Sequence, residues 1–66
     1  VTRQGIVTGF DRDVGLGEIT DDAGVVVPFH CIAIGDGSRD IAVGAAVAFD
    51  LLPKLGRYEA ASIRPR

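Results

Sequence analysis

Apolar and polar positions alternate with a period close to two along most of this chain, and turn residues interrupt the alternation at short intervals. The first run, Gly5-Ile6-Val7-Thr8-Gly9-Phe10, is rich in β-branched side chains and lacks a helical stripe. It predicts a strand, broken by the polar Asp11-Arg12-Asp13. Gly15 to Thr20 predicts a second strand, closed by the hairpin signal Asp21-Asp22-Ala23-Gly24. Val25-Val26-Val27 opens a third, and Pro28 either ends it or places it at a sheet edge. Cys31-Ile32-Ala33-Ile34 has room for one helical turn before Gly35, and the loop Gly35 to Asp40 follows. Val47-Ala48-Phe49-Asp50-Leu51 alternates as a fourth strand. Pro53 to Gly56 turns the chain, and Arg57 to Ile63 forms a fifth.

The alanine-rich stretch from Ala42 to Phe49 has helix formers in it, but Gly44 and the alternation of Val47, Phe49 and Leu51 favour a strand. Five short strands separated by turns predict a small closed antiparallel barrel, since closure removes the edges that an open sheet would expose. Parity then sorts the faces. Val7, Ile19, Val27, Phe29, Val47, Phe49 and Ile63 point inward together, with Ile34 capping one end. Thr8, Phe10, Leu16, Glu18, Pro28 and His30 fall on one outer surface.

The chain has 66 residues, which predicts one domain spanning 1–66 with a small core. Cys31 is the only cysteine, so no internal disulfide forms and a reducing, cytoplasmic setting is expected. No charged-then-apolar leader and no apolar run of membrane-spanning length occur, so no membrane role is expected. Seven basic residues stand against nine acidic ones, a net charge of −2. The basic residues are dispersed and carry no stripe of the kind that binds phosphate non-specifically. A local patch still dominates within a Debye length of about 8–10 Å, so the balance disfavours a nucleic-acid partner without excluding one.

Candidate chemistry is sparse. His30, the only histidine, shares an outer face with Phe10, an arrangement suited to flat rings; each also has a plainer reading, as a surface histidine and a rim residue of the core. One histidine and one adjacent cysteine fall short of the four ligands of a structural zinc site, so no metal and no cofactor are expected. A redox role for Cys31 needs a lowered pKa or a resolving thiol, and alone it reads as a small buried hydrophobe. Gly15-x-Gly17 lacks the third glycine and the helix of a dinucleotide fingerprint. No spacing joins Ser38 or Ser62 to His30 as a nucleophile, and a chain this short rarely encloses a substrate pocket. No catalytic residue is expected. Arg39 meets a phosphate or pairs with Asp36 or Asp40.

These residues bring the chain close to a known family. Thr8-Gly9-Phe10-Asp11, Val14 to Ile19 and Pro28-Phe29-His30-Cys31 fall on the three surface motifs of the bacterial cold shock proteins. Ala33-Ile34, Asp36-Gly37-Ser38-Arg39, Val43-Gly44, Val47-Ala48-Phe49 and Glu59-Ala60-Ala61-Ser62-Ile63 follow in the family's order. The chain resembles this family from Gly5 to Ile63. The resemblance implies an all-β fold, a five-stranded antiparallel OB-type Greek-key barrel with one short helical turn between strands three and four. It also implies binding of single-stranded RNA or DNA by stacking, through Phe10 and His30, with help from Leu16 and Arg39. The family's tryptophan position holds Gly9, its second-strand rings are Leu16 and Glu18, and its third-strand rings are Pro28 and Cys31. Stacking contributes about 1–3 kcal/mol per base, so the expected binding is weak. The alternative is an OB-type barrel that has lost nucleic acid and uses the Phe10, Leu16 and Pro28 face for a protein partner or for self-association.

Overall fold

The computed structural model describes residues 2–35 and 40–66. Five strands follow one another along the chain: β1 (Thr2–Asp11), β2 (Leu16–Asp21), β3 (Val26–His30), β4 (Ala46–Lys54) and β5 (Arg57–Pro65). A single 3-10 turn, Cys31–Ala33, lies between β3 and β4. All neighbouring strands are antiparallel, in the order β3-β2-β1-β4-β5. The sheet curls until β3 and β5 come together, where a parallel bridge joins Ile34 to Ile63. The fold is a small OB-type barrel of five antiparallel strands.

The core is the one that alternation predicts. Val7, Ile19, Val27, Phe29, Ile34, Val47, Phe49 and Ile63 are all buried, and Ala60 joins them. Burying a side chain of the size of Val, Ile or Phe contributes about 1.5–3 kcal/mol, so these few residues carry most of the drive to fold.

Two irregularities adjust the parity. The β1–β2 register shifts between Val7 and Gly9, so Val7 faces Ile19 while Phe10 faces Gly17. The extra residue turns Phe10 inward, onto the same side as Val7, and there it packs against the core. Its expected outward orientation is therefore corrected; a bulge makes positions three apart share a face. The β4–β5 register shifts in the same way between Ala48 and Asp50. Ser62, at φ 52°, absorbs the extra residue and lets both Ala60 and Ile63 reach the interior.

Pro28 lies within β3, not at its end. Asp21 N–H donates to the Val25 carbonyl and Cys31 N–H to the Gly15 carbonyl, so the odd-numbered residues of β3 turn their backbone groups toward β2. Pro28 has the opposite parity. Its missing N–H falls on the open edge of the sheet, where no ladder bond is lost.

At the β2–β3 turn, Asp21 is buried. Its Oδ1 accepts the N–H groups of Ala23 (2.9 Å) and Val25 (2.8 Å), and its Oδ2 accepts from Arg3 Nη1 (3.2 Å). Asp21 is thus a structural carboxylate, bonded to the turn and to β1. The Val25 N–H, the Ala23 N–H and the Arg3 guanidinium hold Asp21 below its ordinary value, against the opposing effect of burial.

Candidate nucleic-acid interface

The outer face of β1, β2 and β3 is built by cross-strand pairing. Leu16 lies directly opposite His30, Glu18 opposite Pro28, and Gly9 opposite Glu18 on the other side. Leu16, Glu18, Pro28 and His30 are all exposed, as their parity predicts. Thr8 and Thr20 continue the face, their hydroxyl oxygens 3.0 Å apart. A shallow depression of about 350 Å³ lies over this surface, lined by Gly9, Phe10, Asp11, Leu16, Gly17 and Glu18.

His30 is held by its own local structure. It caps the 3-10 turn, with Nδ1 accepting the Ile32 N–H at 3.5 Å and lying 3.8 Å from Cys31 Sγ. With Nδ1 used as an acceptor, the neutral ring carries its proton on Nε2. No hydrogen bond engages Nε2 among the described residues, and the exposed His30 also borders a hollow between the 3-10 turn and β5.

Phe10 sits behind this face. Its ring stacks on Phe29, with centroids 5.9 Å apart and planes 6° from parallel. The two rings meet because Gly17, between them in the register, has no side chain; a Cβ there would collide with the Phe29 ring. Half-buried Phe10 supports the depression from one side. Of the four residues expected to form the interface, the fold brings Leu16 and His30 together and sets Phe10 beneath their neighbours. Arg39 lies outside the described residues. One of its two expected partners, Asp40, receives a two-pronged contact from Arg12, whose Nη2 lies 2.8 Å from Oδ1 and 3.0 Å from Oδ2.

The electrostatics of the described residues leave little positive charge free. Arg3 pairs with Asp21, Arg12 with Asp40, Lys54 with Glu59, Arg64 with Asp50 and Arg66 with Asp22. Arg57 makes no ion pair among the described residues. Glu18, exposed in the middle of the face, likewise meets no cation there. Such long-range pairing has no local sequence signal, whereas the glycine at position 17 within a strand is a readable sign of close approach. No group of three or more histidine, cysteine, aspartate or glutamate side chains gathers to hold a metal among the described residues. No helix there is long and apolar enough to cross a membrane.

No family model matches this chain, and no curated relative matches it by sequence. Among solved structures it is similar to one described as Drosophila Unr CSD456, a cold shock domain protein, with a TM-score of 0.83 and 22% identity. The match covers 100% of this chain and 27% of that one, so the chain spans about a quarter of its neighbour's length. At this identity the likeness establishes the fold.

Proposed function

We propose that this chain is a single-stranded nucleic-acid-binding domain of low affinity, non-catalytic and independent of any metal or cofactor. The observation that carries the reading is the Leu16–His30 pair, an apolar side chain and an outward-facing imidazole side by side on the exposed face of a cold shock barrel. A base stacked on His30 and seated against Leu16 meets the glycine-floored depression, with Phe10 behind it. Low affinity follows from the same geometry. Few rings are available to stack, Glu18 repels phosphate, and most of the described cations are already paired. A polyanion therefore gains few neutralising contacts on this face, Arg39 being the candidate. The lone thiol of Cys31 fits a reducing, cytoplasmic setting.

Titration with oligo-dT and oligo-U, followed by amide chemical shifts, tests the reading. The expected dissociation constant is about 0.1 mM or weaker, with shifts centred on Leu16, Glu18 and His30. Each neutralised phosphate contributes about −0.7 to the slope of log affinity against log salt, so one or two contacts give a slope near −1. Shifts confined to other surfaces, or no response at about 1 mM oligonucleotide, would reject the proposal and favour the protein-contact alternative on this aliphatic face. A slope steeper than about −4 would refute low affinity through few phosphates.

A further inference from the structure

A second surface lies around the barrel from this face. A parallel bridge joins Ile34 to Ile63, and between the start of β3 and the β4–β5 hairpin lies a groove of about 690 Å³. Val26 and Pro28 line one wall, and Leu51, Arg57 and Tyr58 the other. Val26 and Tyr58 are 53% and 59% exposed, so each wall presents an uncovered apolar side chain. Val26 and Pro28 turn their backbone groups into this groove, because the odd-numbered residues of β3 use theirs on β2. The open edge offers the Val26 N–H and the Val26 and Pro28 carbonyls. Arg57 overlooks them, and it is the described cation without an ion pair.

We infer that this groove receives an extended peptide bearing an acidic side chain. The peptide backbone adds to the open edge of β3 at Val26 and Pro28, its apolar side chains fill the space between Val26 and Tyr58, and its carboxylate pairs with Arg57. Three features favour this occupant. Edge-strand donors and acceptors recur with the two-residue spacing of another strand. The walls are mainly aliphatic, with Tyr58 as the single ring. The other two charges of the lining, Arg3 and Asp21, pair with each other, so Arg57 is its one unpaired cation; it satisfies one carboxylate in a fork-shaped contact but neutralises little of a polyphosphate chain. Pro28 removes one donor and so limits pairing to a short stretch, which protects the edge from unlimited addition of strands.

The probe is a blocked hexapeptide of alternating valine and aspartate, added to the isotope-labelled chain, with the valine–lysine counterpart and oligo-dT as parallel arms. The aspartate peptide is expected to shift the amides of Val26 and Tyr58 and the Arg57 side-chain N–H, and the lysine peptide is expected to bind at least about ten-fold more weakly. Val26→Pro removes the edge N–H while sparing the β2 ladder, and is expected to weaken binding about ten-fold. Arg57→Gln, at an exposed position, is expected to do the same and decides alone if the proline variant does not fold. The inference is overturned by absence of these shifts at about 1 mM aspartate peptide, or by equal binding of both peptides. It is also overturned if oligo-dT, and not the peptide, perturbs Val26 and Tyr58. Shifts at Leu16 and His30 with oligo-dT test the nucleic-acid reading separately.

Discussion

Phe10 and Phe29 stack with an offset across Gly17, on three adjacent strands, with centroids 5.9 Å apart and ring planes 6° from parallel. The contact depends on both an insertion and an omission. The β1 bulge turns Phe10 inward, and Gly17 leaves the slot that the rings occupy. Aromatic pairs contribute about 0.5–1.5 kcal/mol beyond their burial. Gly17→Ala is therefore expected to destabilise the domain by about 1–3 kcal/mol, as overpacking of a tight site does. Phe10→Leu, which keeps an apolar side chain in half-buried space, is expected to cost less than Gly17→Ala. Urea unfolding of the two variants checks the order, and a Gly17→Ala protein as stable as the parent would mean that the rings do not meet there.

The hairpin between β4 and β5 contains an avoidable cost. Leu55 and Gly56 both have positive φ, 46° and 82°, the arrangement of a two-residue type I′ turn. Glycine accepts it freely; leucine does not, and Leu55 is fully exposed, so packing returns nothing. An L-residue in this region costs about 1–2 kcal/mol, whereas asparagine tolerates it. Leu55→Asn should stabilise the domain by about 1 kcal/mol and raise its melting temperature by about 4–8 °C. A melting temperature that stays level or falls would show that Leu55 has a partner in solution.

These two loci also mark how far the sequence could be read. Strict alternation identified Val7, Ile19, Val27, Phe29, Val47, Phe49 and Ile63 as the interior because burial on one side of a pleated strand imposes a period of two. It misplaced Phe10 because a bulge interrupts that period, although Gly9 within the strand was a hint of one. Leu16 and His30 were legible as neighbours on an outer face, since register follows from which side is buried. The pairing of Arg3 with Asp21 and of Arg12 with Asp40 was not. Those contacts join residues brought together by barrel closure, and nothing in their local sequence records it.

Asp21 makes the stability of the barrel sensitive to acid. Its carboxyl is held below the ordinary value of 3.8 by the Val25 N–H, by the Ala23 N–H and by Arg3. The unfolded chain therefore binds this proton more readily than the folded one, and the stabilisation is complete only above the unfolded value. It is lost as pH falls through the lower folded value. Melting temperatures should hold between pH 7 and about 5 and fall increasingly below pH 4. Asp21→Asn keeps an acceptor for the two N–H groups but cannot titrate, so it should be less stable at pH 7 and show a shallower acid decline. An equally steep decline in that variant would assign the acid sensitivity to other carboxylates.

The exposed β2 positions allow the proposed interface to be strengthened by design. Leu16 and Glu18 both face outward, the first beside His30 and the second between Gly9 and Pro28. Leu16→Phe with Glu18→Phe adds two rings to this surface and removes a charge that repels phosphate. Stacking at about 1–3 kcal/mol per base gives a gain of roughly 2–6 kcal/mol, at least about thirty-fold in oligo-dT affinity. Glu18→Gln separates the contributions, since it removes the charge without adding a ring and should give a smaller gain that fades with salt. Stability should change little, because neither side chain enters the core, although the added rings increase the exposed apolar surface and lower solubility. A folded double variant with the parent's oligo-dT affinity would argue that bases do not approach this face at all. The contact would then have to be sought among proteins that bury Leu16 and Pro28.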